Sequence, residues 1–231
     1  MEARIKPMQA LVALATAFMV SGAMAQSFAK QLQGVFLADD DTYIESFRLG
    51  STSVFDITTL SYAGGVADDG QVVNGGGFIP VLSLFSLNGD VLQIAQGGNA
   101  ICGAGSHPDA LSGFCWDASF STQLAAGDYF FVLSQDGNVP GGAQYADGFT
   151  ATGQNAYTGE TYAGNPDSRF VSPDGSARSG AWFLQYSVSA VSSVPEASTA
   201  ALLLCGLLAL GRQRPGKQLQ QNTQNSQEGL A

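Results

Sequence analysis

The stretch Phe78–Ala95, with the sequence FIPVLSLFSLNGDVLQIA, constrains the fold more strongly than any other part of the chain. Two apolar runs flank Asn88-Gly89, a dipeptide that favours a type I′ hairpin turn in which both central residues have positive φ. The first run is apolar on both faces, because Leu82 and Leu84 lie on one side and Phe85 on the other. Such a strand needs cover on both faces. The stretch therefore predicts a β-hairpin inside a sandwich, away from its edge.

Further stretches have the short apolar or alternating pattern that is typical of β-strands. They are Gln33–Leu49, Ser53–Leu60, Trp116–Leu124, Tyr129–Ser134 and Ala181–Val191. The segments between them, which include Ala63–Gly77, Gly97–Gly113 and Gly137–Gly180, are rich in Gly, Asn and Ser and are predicted to be turns and loops. About seven or eight short strands without a helical period predict an all-β fold, an antiparallel, jelly-roll-like β-sandwich.

The part of the chain between its two hydrophobic ends is strongly acidic. Residues 26–193 contain four basic side chains against sixteen acidic ones, a balance of −12. A surface of this charge repels nucleic acids and anionic lipids, so neither is a predicted partner of this part. Solubility alone is a sufficient reason for the excess, although the same surface also tolerates divalent cations.

The N-terminus has the three parts of a secretory signal peptide. Arg4 and Lys6 form the charged start, Leu11–Val20 the apolar run, and Ala23-Met24-Ala25 the cleavage site. Residues 1–25 are therefore predicted to be removed. The mature chain then begins at Gln26, outside the cytoplasm.

The C-terminal part predicts a membrane anchor. Ser193 to Glu196 can begin a helix, and Ala197–Gly211 is almost wholly apolar. At ~1.5 Å per residue this run reaches roughly 22 Å, short of a ~30 Å hydrocarbon core, so it needs its flanks or a thinned bilayer. Arg212, Arg214 and Lys217 then keep the end of the chain in the cytoplasm.

The predicted organisation is thus a chain with four parts. They are a signal peptide (1–25), a β-sandwich ectodomain (26–192), a sorting and anchor segment (193–214) with a transmembrane helix at about 197–211, and a disordered cytoplasmic tail (215–231).

The anchor segment resembles the PEP-CTERM sorting tail, also called the ice-binding protein C-terminal domain. The matching residues are Val194, Pro195, Glu196, Arg212 and Arg214, whereas Ala197 stands where the motif has a second proline. The resemblance implies export followed by recognition by an exosortase, in a bacterium that makes exopolysaccharide. The expected location is the cell-envelope membrane or, after processing, the cell surface and its surroundings.

The ectodomain resembles the bacterial pre-peptidase C-terminal domain, a jelly-roll accessory module, in Asp41–Gly50, the Phe78–Ala95 hairpin and Leu124–Gln135. A longer pattern is similar to an uncharacterised family of PEP-CTERM exported proteins. It includes Cys102, Cys115, Asp147–Phe149 and Arg169–Trp182. These resemblances imply a fold and a destination but no activity.

Cys102 and Cys115 are predicted to form a disulfide, because an exported domain folds in an oxidising compartment; two free thiols are the alternative. Cys205 lies in the apolar helix, where a small buried side chain is favoured over a lipidated one. His107 is the single histidine of the chain. No nucleophile elbow accompanies it, and too few ligands are present for zinc, so we predict that the protein is not an enzyme.

Calcium is the cofactor with the best candidate ligands. The candidates are Asp39, Asp40, Asp41 and Asp117, with Asp68, Asp69 and Asp136 as further carboxylates that could meet at the ends of the sandwich. The alternative is that these side chains are solvated turn caps and that no cofactor is bound. Tyr145, Tyr157 and Tyr162 could stack on sugars, or could fill space under a long loop.

Three functions follow in order of preference. The first is a non-catalytic exported protein that is displayed at the cell envelope, in association with the surface or an exopolysaccharide matrix. The second is a carbohydrate- or calcium-dependent binding or adhesion module. The third, a hydrolase, would depend on His107.

Overall fold

The structure is a computed structural model that describes residues 27–191. The predicted signal peptide, the predicted anchor helix near 197–211 and all residues of the sorting motif lie outside this range. No helix within residues 27–191 is long and apolar enough to cross a membrane.

Residues 27–191 form ten strands, one short helix and one 3₁₀ turn. The strands are β1 (Phe28–Val35), β2 (Tyr43–Leu49), β3 (Ser53–Thr59), β4 (Gly64–Val66), β5 (Val72–Asn74), β6 (Pro80–Ser86), β7 (Val91–Gln96), β8 (Ser119–Leu124), β9 (Gly127–Gln135) and β10 (Ala181–Ala190). The 3₁₀ turn is Tyr145–Asp147, and helix α1 is Tyr157–Ala163. The prediction of an all-β protein is confirmed.

Eight of the strands form two four-stranded antiparallel sheets. Sheet I has the order β1-β10-β3-β8, and sheet II has the order β2-β9-β6-β7. Strands β4 and β5 form a separate small hairpin within the predicted loop Ala63–Gly77. The chain therefore crosses repeatedly between the two sheets, which ties them together.

The two sheets face each other across one aromatic-rich core. Phe47 of sheet II stacks on Phe55 of sheet I, with ring centroids 4.5 Å apart, and Phe131 meets Tyr186 edge-on at 5.3 Å. Leu184 is fully buried in the same cluster. The alternation along β3, β9 and β10 predicts these inward faces, because successive side chains of a strand point to opposite sides.

The central hairpin is present, but two details of the prediction are wrong. Gly89 has a φ of 90°, whereas Phe170 is the single non-glycine residue with positive φ within 27–191, so Asn88 does not adopt the type I′ conformation. Instead the Gly89 N–H donates to Ser86 O at 2.9 Å in a longer loop. Moreover, only β6 lies inside its sheet, and β7 is an edge strand.

The outer face of sheet II is covered by the segment after β9. The Tyr145 ring packs edge-on against Phe85 and Phe130, at 5.5 and 5.2 Å between centroids. Buried Asn138 accepts a hydrogen bond from Ala151 N at 3.0 Å. This segment also contains α1, which the prediction of no helix missed, because seven residues with Thr and Gly as the buried positions show no apolar stripe.

Candidate functional site

The outer face of sheet I holds a trough of about 360 Å³ above strands β10, β3 and β8. Its floor consists of two rows of polar side chains that run across these strands. One row is Ser187–Asp56–Ser121, and the other is Gln185–Thr58–Ser119. Because most of these side chains are short, the floor is wide and offers hydroxyl and carboxyl groups at similar depth.

One wall of the trough is the turn between β4 and β5, which Gln185 fixes in place. The Asp68 N–H donates to Gln185 Oε1 at 2.8 Å, and Gln185 Nε2 donates to Asp68 Oδ1 at 3.1 Å. Gln185 is buried, so these two hydrogen bonds replace the ones that its amide group made to water in the unfolded chain. The wall is therefore fixed relative to the floor.

The disulfide loop continues this wall. Cys102 and Cys115 form a disulfide with their Cα atoms 5.0 Å apart, as the sequence predicts. Gly103 rests directly on the floor, where a Cβ would collide with the Ser119 side chain. The Val66 N–H donates to Gly105 O at 2.8 Å, which joins the loop to the β4–β5 hairpin.

Asp56 lies at the centre of the outer floor row and is half-buried. Within residues 27–191 its carboxylate has no hydrogen-bond or ion-pair partner; its neighbours across the ladder are Ser121 and Ser187. A carboxylate between two hydroxyl groups can accept hydrogen bonds from a ligand that is rich in donors. The acidic character of the surrounding chain disfavours a polyanion as that ligand.

A second depression, of about 500 Å³, lies between β1 and β2. Its charged groups are already paired. The Glu45 carboxylate accepts hydrogen bonds from Lys30, Tyr43 and Tyr186. Burial and the nearby Glu45 carboxylate raise the pKa of Tyr43 to about 12. Because these polar groups bind one another, this cleft offers fewer free donors and acceptors than the trough.

A third depression, of about 530 Å³, lies between β1 and the β4–β5 hairpin. Its lining combines apolar side chains, such as Val72 and Phe183, and glycine backbone with the amides of Gln33, Gln71 and Asn74. It holds no charged side chain, so it lacks an acceptor like the Asp56 carboxylate of the trough.

The calcium candidates do not come together. Asp39 is fully buried and accepts hydrogen bonds from Thr158 N, Thr158 Oγ1 and Phe170 N, at 2.8, 2.6 and 2.7 Å. Asp40 accepts from Gly153 N and Asp41 from Ala38 N, both at 2.9 Å.

Asp117 also fixes a stretch of backbone. Its carboxylate accepts hydrogen bonds from the backbone N–H groups of Ser61, Tyr62 and Ala63. Burial raises the pKa of the Asp117 carboxyl, against the opposing effect of these donors. Across 27–191 there is no group of three or more His, Cys, Asp or Glu side chains that could hold a metal ion. Each candidate therefore serves a turn or a loop in this structure.

The remaining candidates occupy separate places. His107 is exposed on the disulfide loop, and its backbone N–H donates to Gly64 O at 3.3 Å. Tyr145 packs on sheet II, and the Tyr157 hydroxyl donates to Asp136 O. Tyr162 is partly exposed at the end of α1. These tyrosines do not form a common platform.

Sequence reasoning did not find the trough. Asp56 and its serine neighbours appear in the sequence only as the polar positions of alternating strands, which every half-buried strand contains. Their alignment in one row depends on the pairing of β3 with β8 and β10, strands that are far apart in sequence. The alternating pattern of these strands indicates only that their outer face is polar.

Comparison with known proteins found no family model that matches the chain and no curated protein that is significantly similar to it.

Proposed function

We propose that this chain is a non-catalytic exported protein, anchored at the cell envelope and displayed at the cell surface or in an exopolysaccharide matrix. The observation that supports it best is the disulfide between Cys102 and Cys115, which joins the two cysteines of residues 27–191. Structural disulfides persist in oxidising compartments and are rare in the cytosol. The bond thus agrees with the secretory pattern of residues 1–25.

The fold is proposed to be a jelly roll. When the eight sandwich strands are counted without β4 and β5, sheet I reads 1-8-3-6 and sheet II reads 2-7-4-5. This order supports two interleaved Greek keys, the arrangement of a jelly roll. A display role suits such a body, since its loops are held by a fixed scaffold.

The anchor is proposed to be the helix near 197–211, with the positive residues after it in the cytoplasm. An exosortase is the proposed processing partner, through Val194, Pro195 and Glu196 and the arginines at 212 and 214. We propose no nucleic-acid partner, because the body carries a balance of −12.

Mass spectrometry of the protein isolated from fractionated cells tests this function. The expected result is a chain in the envelope or extracellular fraction that begins at Gln26 and contains a Cys102–Cys115 disulfide. A cytoplasmic protein that retains Met1 and two free thiols in the body would contradict the proposal.

A second candidate function is the binding of a neutral, hydroxyl-rich glycan in the trough. The observation that favours it is that Asp56 has no hydrogen-bond or ion-pair partner among residues 27–191, since sugar hydroxyls are the donors that such an acceptor lacks. The two polar rows of the floor contain no aromatic side chain, which predicts weak binding, of the kind that many displayed copies would reinforce.

A glycan array with the full-length chain in detergent tests this second function. Saturable binding to one glycan class should be lost in Asp56→Ala and kept in Asp167→Ala, an exposed control with the same charge change. Binding that is equal in both variants would exclude the trough. Repeating the array with EDTA separates calcium-dependent from calcium-independent binding.

A further inference from the structure

The four edge strands of the sandwich differ sharply in charge. One lateral edge consists of β1 and β2, and both strands carry charged residues: Lys30 on β1, and Glu45 and Arg48 on β2. Lys30 and Glu45 lie on the core-facing sides of their strands and form an ion pair. Inward-pointing charges on an edge strand discourage the addition of further strands. This lateral edge is therefore protected.

The opposite lateral edge consists of β7 and β8, which have the sequences VLQIAQ and SFSTQL. Neither contains a charged residue, a proline or a glycine. Strand β7 also exposes two large apolar side chains, Leu92 at 45% and Ile94 at 43%. A six-residue segment with high β-propensity and no charge is the type of strand that pairs readily with another chain.

The backbone of β7 is open along its middle. At its start the Val91 N–H donates to Ala143 O at 2.9 Å, and at its end Gln96 O accepts from the Asn99 side chain at 3.0 Å. Between these two points, β6 is the only strand of the described chain that pairs with β7. The peptide groups that face away from β6 are thus available for a new ladder.

We infer that a second copy of this chain binds to the β7 edge by antiparallel strand addition. Two copies that each carry −12 repel each other, so a contact between them has to lie on a surface that adds no further like charge, and the β7 edge is such a surface. In addition, an antiparallel pair of identical strands is two-fold symmetric. The free peptide groups of both β7 strands are then hydrogen-bonded to each other, and the assembly closes as a dimer.

The two-fold axis lies midway between the two copies of Ile94. In an antiparallel pair, directly opposed residues lie on the same face of the sheet, so one residue must stand opposite its own copy. An axis at Gln93 would place Val91, whose N–H is already bonded, within the new ladder. An axis at Ile94 instead sets Ile94 beside its own copy and Leu92 beside Gln96. The Gln96 O is bonded by the exposed Asn99 side chain and, outside the strand ladders, by no backbone group of the described residues. Sheet II would then continue across the dimer as eight strands.

Ile44 provides a matched control on the same sheet. It is 44% exposed, and it lies in one cross-strand row with Ile94, through Val132 and Ser83. The two isoleucines therefore differ mainly in the edge to which they belong: β2 for Ile44 and β7 for Ile94. This inference goes beyond the proposed function and does not depend on where the protein is located.

The test is disulfide cross-linking of the full-length chain in detergent, with Cys205→Ser as the background. Under mild oxidation, Ile94→Cys should give a covalent dimer and Ile44→Cys should not. In sedimentation, Ile94→Lys should weaken the dimer by at least about tenfold, whereas Ile44→Lys should leave it unchanged. A monomeric parent chain, equal cross-linking at the two positions, or a dimer that Ile94→Lys does not affect would overturn the inference.

Discussion

Asp39 shows how one buried carboxylate can hold a long loop in place. It accepts three hydrogen bonds from Thr158 and Phe170, more than 100 positions further along the chain. Asp39→Ala would leave three buried donors without an acceptor, and we expect a loss of about 3 to 5 kcal/mol in the free energy of unfolding. Urea unfolding of the full-length protein measures this loss.

Asp40→Ala is the control, because this partly exposed neighbour receives one hydrogen bond, from Gly153 N. Its expected cost is below about 1 kcal/mol. Equal losses in the two variants would show that Asp39 has no special structural role, and would reopen its assignment as a metal ligand.

Glu45 should make stability depend on pH on the acid side. Burial alone would raise the pKa of its carboxyl, but hydrogen bonds from Lys30, Tyr43 and Tyr186 outweigh burial and lower it. A carboxyl whose pKa is lowered by folding stabilises the protein above its unfolded pKa of about 4.3 and loses this contribution as pH falls through the folded value. Glu45→Gln should therefore be less stable than the parent at pH 7.

The difference in melting temperature between the parent and Glu45→Gln should shrink as pH falls below about 4, where the parent carboxyl is also protonated. Thermal unfolding across this pH range measures it. A difference that is constant with pH would mean that the ion pair with Lys30 does not contribute to stability.

For single residues, the sequence predicts which bonds a side chain can form better than it predicts where that side chain lies in the fold. The Cys102–Cys115 bond could be predicted, because only two cysteines lie in the body and the termini indicate export. The aspartates could not be assigned, because an Asp that caps a turn and an Asp that binds calcium have the same local sequence. Only the long-range contacts of Asp39 and Asp117 distinguish the two cases.

The segment after β9 was the hardest part of the fold to predict. It covers the outer face of sheet II. Tyr145 packs on Phe85 and Phe130, which would otherwise expose apolar surface on the outer face of sheet II. Tyr145→Ala should cost about 2 to 3 kcal/mol, less than for a fully buried aromatic residue because Tyr145 is partly exposed. Chemical denaturation gives the value.

Tyr162→Ala is the control for this prediction. Tyr162 is 36% exposed and Tyr145 is 37% exposed, but no aromatic ring of residues 27–191 stacks on Tyr162. Its replacement should cost below about 1 kcal/mol. If the two variants were equally stable, Tyr145 would not be a cover for sheet II, and its alternative role in stacking on sugars would gain weight.

Most strands of the two sheets were predicted, but β1 (Phe28–Val35) begins before the predicted stretch Gln33–Leu49, and β4 and β5 lie in a predicted loop. Alternation along a strand reports which face is buried, so the inward faces of β3 and β10 follow directly from the sequence. What covers the second face of β6 depends on Asn138 and Tyr145, which lie in a segment without periodicity. The position of β7 at an edge likewise depends on the order of strands, which local patterns do not encode.

At the scale of the whole molecule, the disulfide should act mainly on the unfolded chain. It closes a loop with a sequence separation of 13 residues. For a loop of this size, the chain-entropy estimate gives about 3 kcal/mol of stabilisation. We expect the double variant Cys102→Ser/Cys115→Ser to lose about this amount in reversible unfolding, while the sandwich core, which the loop does not enter, remains intact by circular dichroism. A double variant as stable as the parent would show that the bond does not restrict the unfolded chain.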